Sequence, residues 1–88
     1  WGQQHLRYIK RSRPILYTNL LTKCRLNEYL ADIDERAQKM YDELVQSFAK
    51  EEGCTEQLKA TNQILWVRKM NNAAQRAREV VNAELICN

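Results

Sequence analysis

Three features of the chain predict an all-α fold built on a long antiparallel helical hairpin. Only two glycines and one proline occur in 88 residues, so a few long elements are favoured over many short strands. Apolar residues between Leu26 and Phe48 recur at steps of three and four, the spacing of one helix face. Between this pattern and the next stand Gly53 and Thr55, a natural helix stop followed by a natural helix start.

The chain opens with two short basic helices, expected at 3–12 and 14–23. Arg13 precedes Pro14 and is pushed away from helical geometry, whereas Pro14 suits a first turn. Leu6 and Ile9 give the first helix a small apolar face. Leu16, Tyr17, Leu20, Leu21 and Cys24 give the second a larger one. Both are expected to pack on the hairpin, near Trp66.

The first arm of the hairpin is expected at about 26–52. Leu26, Leu30, Ile33, Ala37, Met40, Leu44 and Phe48 mark its apolar stripe, with Asp32, Glu35, Lys39, Asp42 and Glu43 on the far side. Gly53 can take the left-handed conformation that ends a helix. Glu51 and Glu52 fit that end poorly, because the helix dipole disfavours acids there. The second arm is expected without interruption over about 56–86, capped by Thr55. One stripe holds Leu58, Trp66, Met70, Ala73, Ala77, Val80 and Leu85, and a second holds Ile64, Val67, Ala74 and Val81. A helix apolar on two sides should meet more than one neighbour. The residues expected to carry the core or an interface are Leu30, Ile33, Met40, Leu44, Trp66, Met70 and Val80.

These elements make one expected domain, 1–88, with the hairpin at 26–86. Arms of roughly 40 and 45 Å exceed the diameter of about 30 Å of a compact domain this size. Pairing of two chains into a homodimeric bundle would cover the seam, and a dimer is therefore expected.

Catalytic chemistry finds little support. His5 is the single histidine, so any Ser-His-Asp or Cys-His arrangement would depend on it. It falls at the start of the chain, where fraying is expected. Glycines at positions 2 and 53 alone leave no phosphate loop. The acids of residues 28–57 fall largely on a solvated helix face. Cys24, Cys54 and Cys87 lie about thirty residues apart without a Cys-x-x-Cys pair, which suits reduced thiols in the cytoplasm rather than a disulfide framework or zinc site. No enzyme activity, metal or cofactor is expected. The longest apolar run is Ile64-Leu65-Trp66-Val67, far short of a membrane span, so no membrane association is expected. The first residue is Trp1, and the natural start is expected to lie upstream.

Charge is the informative feature. The net charge of +3 hides a first stretch, residues 1–27, with six bases and no acid, followed by an acid-rich middle. If Arg7, Lys10 and Arg11 share a helix, spacings of three and four place them on one side. Arg13, Lys23 and Arg25 could extend that patch, and such a surface suits DNA phosphates. Two short helices with a tight joint also suggest a helix-turn-helix, with Thr18, Asn19 and Thr22 facing base edges. The same cations equally fit plain solvation, or docking on the acidic middle. Arg68, Lys69, Arg76 and Arg78 could add a second basic surface, and Asn71 and Asn72 could pair within a bundle. Trp66, Phe48, Tyr29 and Tyr41 sit at core spacing rather than as base-stacking platforms.

The stretches HLRYIKRSRPILYTNLL (5–21), LNEYLADIDERAQ (26–38) and GCTEQLKATNQILWVRKMNNAAQRAREVVNAELI (53–86) resemble the TnpV family, small proteins encoded on bacterial transposons and other mobile elements. The most specific stretch is TEQLKATNQILWVRKMNN (55–72). The resemblance implies an accessory role beside site-specific recombination, like that of a small basic excisionase or regulator, and no catalytic motif. It also implies an acid near Lys10-Arg11-Ser12, a glycine at Cys24 and a valine at Cys54, from which this chain departs. The departure makes its first segment more basic, which favours anions. It leaves open whether position 24 keeps the special backbone geometry a glycine would permit. No strand-turn-strand signal supports a winged helix. Two partners are thus expected as alternatives: DNA, or a recombinase or other protein bound through the hairpin.

Overall fold

Pro14, Cys24, Gly53 and Asn62 decide where the helices begin and end. The computed structural model describes residues 1–87; Asn88, the last residue of the expected domain, lies outside the described residues. The elements are α1 (Gly2–Ser12), α2 (Pro14–Thr22), α3 (Leu26–Glu51), α4 (Glu56–Thr61), α5 (Gln63–Val81) and a π-helical segment, Asn82–Ile86. No strand occurs among the described residues. The chain is all-α, as its sequence predicts. Two compact units are formed, one of Trp1–Lys39 with the described residues from Asn82 onward, the other of Met40–Val81.

In the first unit, α1 starts without a cap of its own, for Trp1 has no oxygen to offer and no acid lies in the first turn. Asp34 of α3 supplies one instead. Its carboxylate accepts from the Gly2 N–H at 3.3 Å. An acid at a helix N-terminus answers both the free N–H groups and the dipole. α1 packs on α2 and on the π-helical segment. The buried residues of the unit are His5, Ile9, Leu30, Ile33, Ala37 and Ile86. Within its own unit α1 is held by Tyr29, Asp34 and Ile86.

α2 ends in a Schellman motif. Arg25 N–H donates to Leu20 C=O at 2.9 Å and Cys24 N–H to Leu21 C=O at 3.2 Å, with Cys24 at φ 57°. Position 24 thus takes the left-handed backbone that a glycine would permit at no steric cost. α3 ends the same way: Cys54 N–H donates to Ala49 C=O and Gly53 N–H to Lys50 C=O, with Gly53 at φ 76°.

In the second unit the chain folds back once, and Met40–Glu51 of α3 packs against α5. The buried residues of this unit are Ala49, Ala73, Ala77 and Val81. The acids that fit the end of α3 poorly are met by cations from α5. Arg76 reaches Glu51 at 3.7 Å and Glu52 at 3.5 Å and lies 4.1 Å above the Phe48 ring. Lys69 donates to the Glu52 carbonyl at 3.0 Å. Two of the four bases expected to form a second basic surface are therefore engaged within their own unit.

The expected helix over 56–86 is interrupted once, at Asn62, and turns π-helical over Asn82–Ile86. At Asn62 the backbone leaves the helix (φ −148°, ψ 81°), and Asn62 Oδ1 accepts from Leu65 N–H at 3.2 Å. Asparagine competes for backbone donors in this way, which favours a cap over a helix interior. Ile64, placed by the sequence in a second core stripe, follows this break and is 75% exposed; Val67 is exposed too. At the far end the helix widens, and Cys87 N–H donates to Asn82 C=O, five residues back, at 2.7 Å. Of the expected core or interface residues, Leu30 and Ile33 are buried, and Met40, Leu44, Trp66, Met70 and Val80 are half-buried. Trp66 carries Lys59 4.9 Å above its ring.

Candidate nucleic-acid interface

The six bases of the first segment are all exposed, and among the described residues none of them is within an ion pair. α1 brings Arg7 and Arg11 to one place, since four residues make about one helical turn. With Gln4, Tyr8 and Ser12 they form one wall of an open notch of about 620 Å³, whose other wall is Asn82 and Cys87. Lys10 points elsewhere, 5.4 Å above the Tyr17 ring of α2. Arg25 lines a separate groove with Leu20, Glu28 and Tyr29. Arg13 forms the joint between α1 and α2 and acts electrostatically on Tyr29; Lys23 ends α2. The expected single patch is thus a notch with outlying cations.

The helix-turn-helix expectation does not match this geometry. One residue, Arg13, separates α1 from α2, where the motif uses a turn of about three or four. α2 also buries none of its residues, although a recognition helix needs an anchored face. Thr22 spends its hydroxyl on Thr18 C=O at 2.7 Å.

The notch rests on His5, which is buried and ordered at 3% exposure, not frayed as its position suggested. Its Nδ1 lies 2.7 Å from Ile86 C=O and its Nε2 2.7 Å from the Tyr29 hydroxyl. A carbonyl can only accept, so Nδ1 carries the proton, and in the neutral ring Nε2 accepts from Tyr29. Burial raises the Tyr29 pKa, and Arg13 and Arg36 nearby partly oppose that rise. The ring joins α1, α3 and the chain end, which fixes the two walls of the notch relative to each other. With both nitrogens engaged, His5 has no free nitrogen for proton transfer to a substrate.

Gln4, Tyr8 and Asn82 are the notch residues that the sequence did not indicate. Asn82 Oδ1 is buried without a hydrogen-bond partner among the described residues, at a cost of about 1–3 kcal/mol for such a group. The one available signal was the turn spacing of Gln4, Tyr8, Arg11 and Ser12; the part of Asn82 depends on a helix widening that no pattern announces. Cys24, Cys54 and Cys87 are free thiols. Among the described residues no group of three His, Cys, Asp or Glu side chains could hold a metal ion, and no helix is long and apolar enough to cross a membrane.

No curated protein and no solved structure matches the chain. The family described as "Transposon-encoded protein TnpV" matches residues 1–86, so the resemblance carried by 5–21, 26–38 and 53–86 extends over nearly the whole sequence, and the chain belongs to that family.

Proposed function

We propose that this protein is a non-enzymatic accessory factor of a mobile genetic element, which contacts duplex DNA and so assists or regulates excision or transposition. The observation that supports this most is the state of Arg7, Lys10, Arg11, Arg13, Lys23 and Arg25: exposed, and in no ion pair among the described residues. Exposed cations of an acid-free segment that make no ion pair suit phosphates, which they bind by releasing counterions. Six such contacts give a slope of about −5 in log affinity against log salt. Mobility shift with the ends of the host element, at two salt concentrations, measures it. Loss of Arg7, Lys10 and Arg11 to alanine should halve the slope; salt-independent binding, or binding unchanged in that variant, refutes the proposal.

A second reading is favoured by two exposed apolar side chains of α2. Ile15 is 78% and Leu21 53% exposed, on a helix whose other apolar residues, Leu16, Tyr17 and Leu20, are half-buried. Scattered exposed apolar residues are ordinary, but two large ones on one short helix suit contact with a protein. In this reading the chain binds a recombinase, another regulator or a second copy of itself. It predicts no DNA affinity above background, and loss of partner binding when Ile15, Trp66 or Met70 is made polar.

A further inference from the structure

α1 turns one side inward and leaves the other bare. His5 and Ile9 are buried, and at about 100° per residue Arg7 lies opposite the midpoint between them. Gln3, Gln4, Lys10 and Arg11 flank Arg7, and these five exposed residues share an arc of about 120°. The arc holds three cations and no acid. Among the described residues none of the three is in an ion pair, and neither glutamine amide is in a hydrogen bond. The helix beneath is held at its start by Asp34 and, through His5, by Tyr29 and the Ile86 carbonyl. The arc thus rides on a fixed support, as a recognition surface requires. α2 offers less: Pro14–Thr22 contains no charged residue, and its Ile15 stands exposed.

Position within the arc separates two tasks. The middle of a helix face laid in a duplex groove meets base edges, and its margins meet the phosphate ridges on either side. Arg7 holds the middle, with a guanidinium that matches both acceptors of a guanine edge. Gln3, one turn earlier, carries the amide that matches an adenine edge. Lys10 and Arg11 lie to opposite sides of Arg7, one cation toward each ridge. A helix about 10–12 Å across fits a major groove about 12 Å wide, whereas the minor groove of about 6 Å excludes it.

We infer that α1 is the reading helix: it enters the major groove of duplex DNA, with Arg7 on a guanine edge, Gln3 on an adenine edge, and Lys10 and Arg11 on the two bordering strands. This rests on the duplex reading above and adds sequence preference to it. From Gln3 to Arg11 the face rises about 12 Å, or roughly three to four steps of 3.4 Å along the duplex, so the preferred core is short.

The full chain is mixed with a library of short duplexes of random sequence, and the bound fraction is sequenced. A core of about three or four positions that contains guanine and adenine should be enriched. Arg7→Lys keeps the charge but loses the paired contact. It should reduce the preference for that core over unselected duplex at least about fivefold and leave the salt slope unchanged. Gln3→Ala should relax the preference at one position. Lys10→Ala should lower the slope by about 0.9 and leave the preference unchanged. All three positions are exposed, and an unchanged circular dichroism spectrum shows that the fold is kept. Salt-dependent binding with no enriched sequence overturns the inference and leaves the broader reading intact. An enriched core whose preference survives both Arg7→Lys and Gln3→Ala overturns the assignment to α1. Absence of duplex binding above background overturns both readings and assigns the cationic face to an acidic protein surface.

Discussion

Cys24 and Gly53 occupy the same position in two copies of one motif, the left-handed residue after a helix, and substitutions there should act with opposite signs. A side chain in the left-handed region costs about 1–2 kcal/mol, and Cys24 bears that cost at φ 57°. Its side chain is exposed, so removal sacrifices little burial. Glycine gives the unfolded chain additional freedom, which returns about 0.4–1 kcal/mol of the gain. Cys24→Gly should therefore stabilise the protein by about 0.5–1 kcal/mol, a rise in Tm of roughly 2–8 °C for a chain of this length. Gly53→Ala is the converse. A Cβ there meets nothing within 4 Å, so the cost comes only from φ 76°, and the variant should lose about 0.5–1 kcal/mol. Urea and thermal unfolding followed by circular dichroism, with reductant present, measure both; a shifted midpoint at unchanged slope identifies stability as the cause. If Cys24→Gly destabilises the chain, or both substitutions shift the midpoint in the same direction, the assignment of a shared Schellman geometry is refuted.

Replacement of His5 by leucine removes the partner of the Ile86 carbonyl and of the Tyr29 hydroxyl and should cost about 2–4 kcal/mol; a loss below 0.5 kcal/mol would contradict its joining role. Tyr29 adds a pH dependence. Because burial raises its pKa in the folded state, its contribution is complete below about pH 10, the ordinary tyrosine value, and is lost as pH rises through the raised value. The urea midpoint of the native chain should therefore fall more steeply above pH 10 than that of Tyr29→Phe, and parallel curves would exclude this. Arg76→Gln removes two partly exposed ion pairs and the contact with Phe48. It should cost about 1 kcal/mol, less in high salt, and a salt-independent loss would point to packing instead.

The residues show why some of this structure was legible and some was not. Pro14, Gly53 and Thr55 act through their own backbone preferences, so the ends they set could be read directly; Thr55 Oγ1 accepts from Leu58 N–H at 3.1 Å, as an N-cap should. The periodic stripe of α3 likewise depends only on spacing. Asn62 was harder, because an asparagine within a strong helical pattern can remain helical or cap a new helix, and the choice is made by its neighbours. Glu51 and Glu52 show the same limit from the other side. They violate a local rule, and the compensation comes from Lys69 and Arg76, 17 or more residues away in sequence.

The candidate site divides along the same line. Arg7 and Arg11 share a face because helical geometry requires it, so their pairing was visible. The notch exists because His5 joins α1 to Tyr29 and to a carbonyl 81 residues away, and sequence spacing carries no trace of that bond. A lone histidine near the start of a chain gives no sign of burial. What betrays its role is the unusual end of the chain: Cys87 N–H bonds to Asn82 rather than Ala83, the helix widens there, and the buried Ile86 carbonyl takes its donor from the His5 ring. The widening that positions this carbonyl also sets Asn82 and Cys87 opposite the two arginines. The basic segment becomes a shaped site, rather than a charged surface, through an interaction that replaces one ordinary helical hydrogen bond.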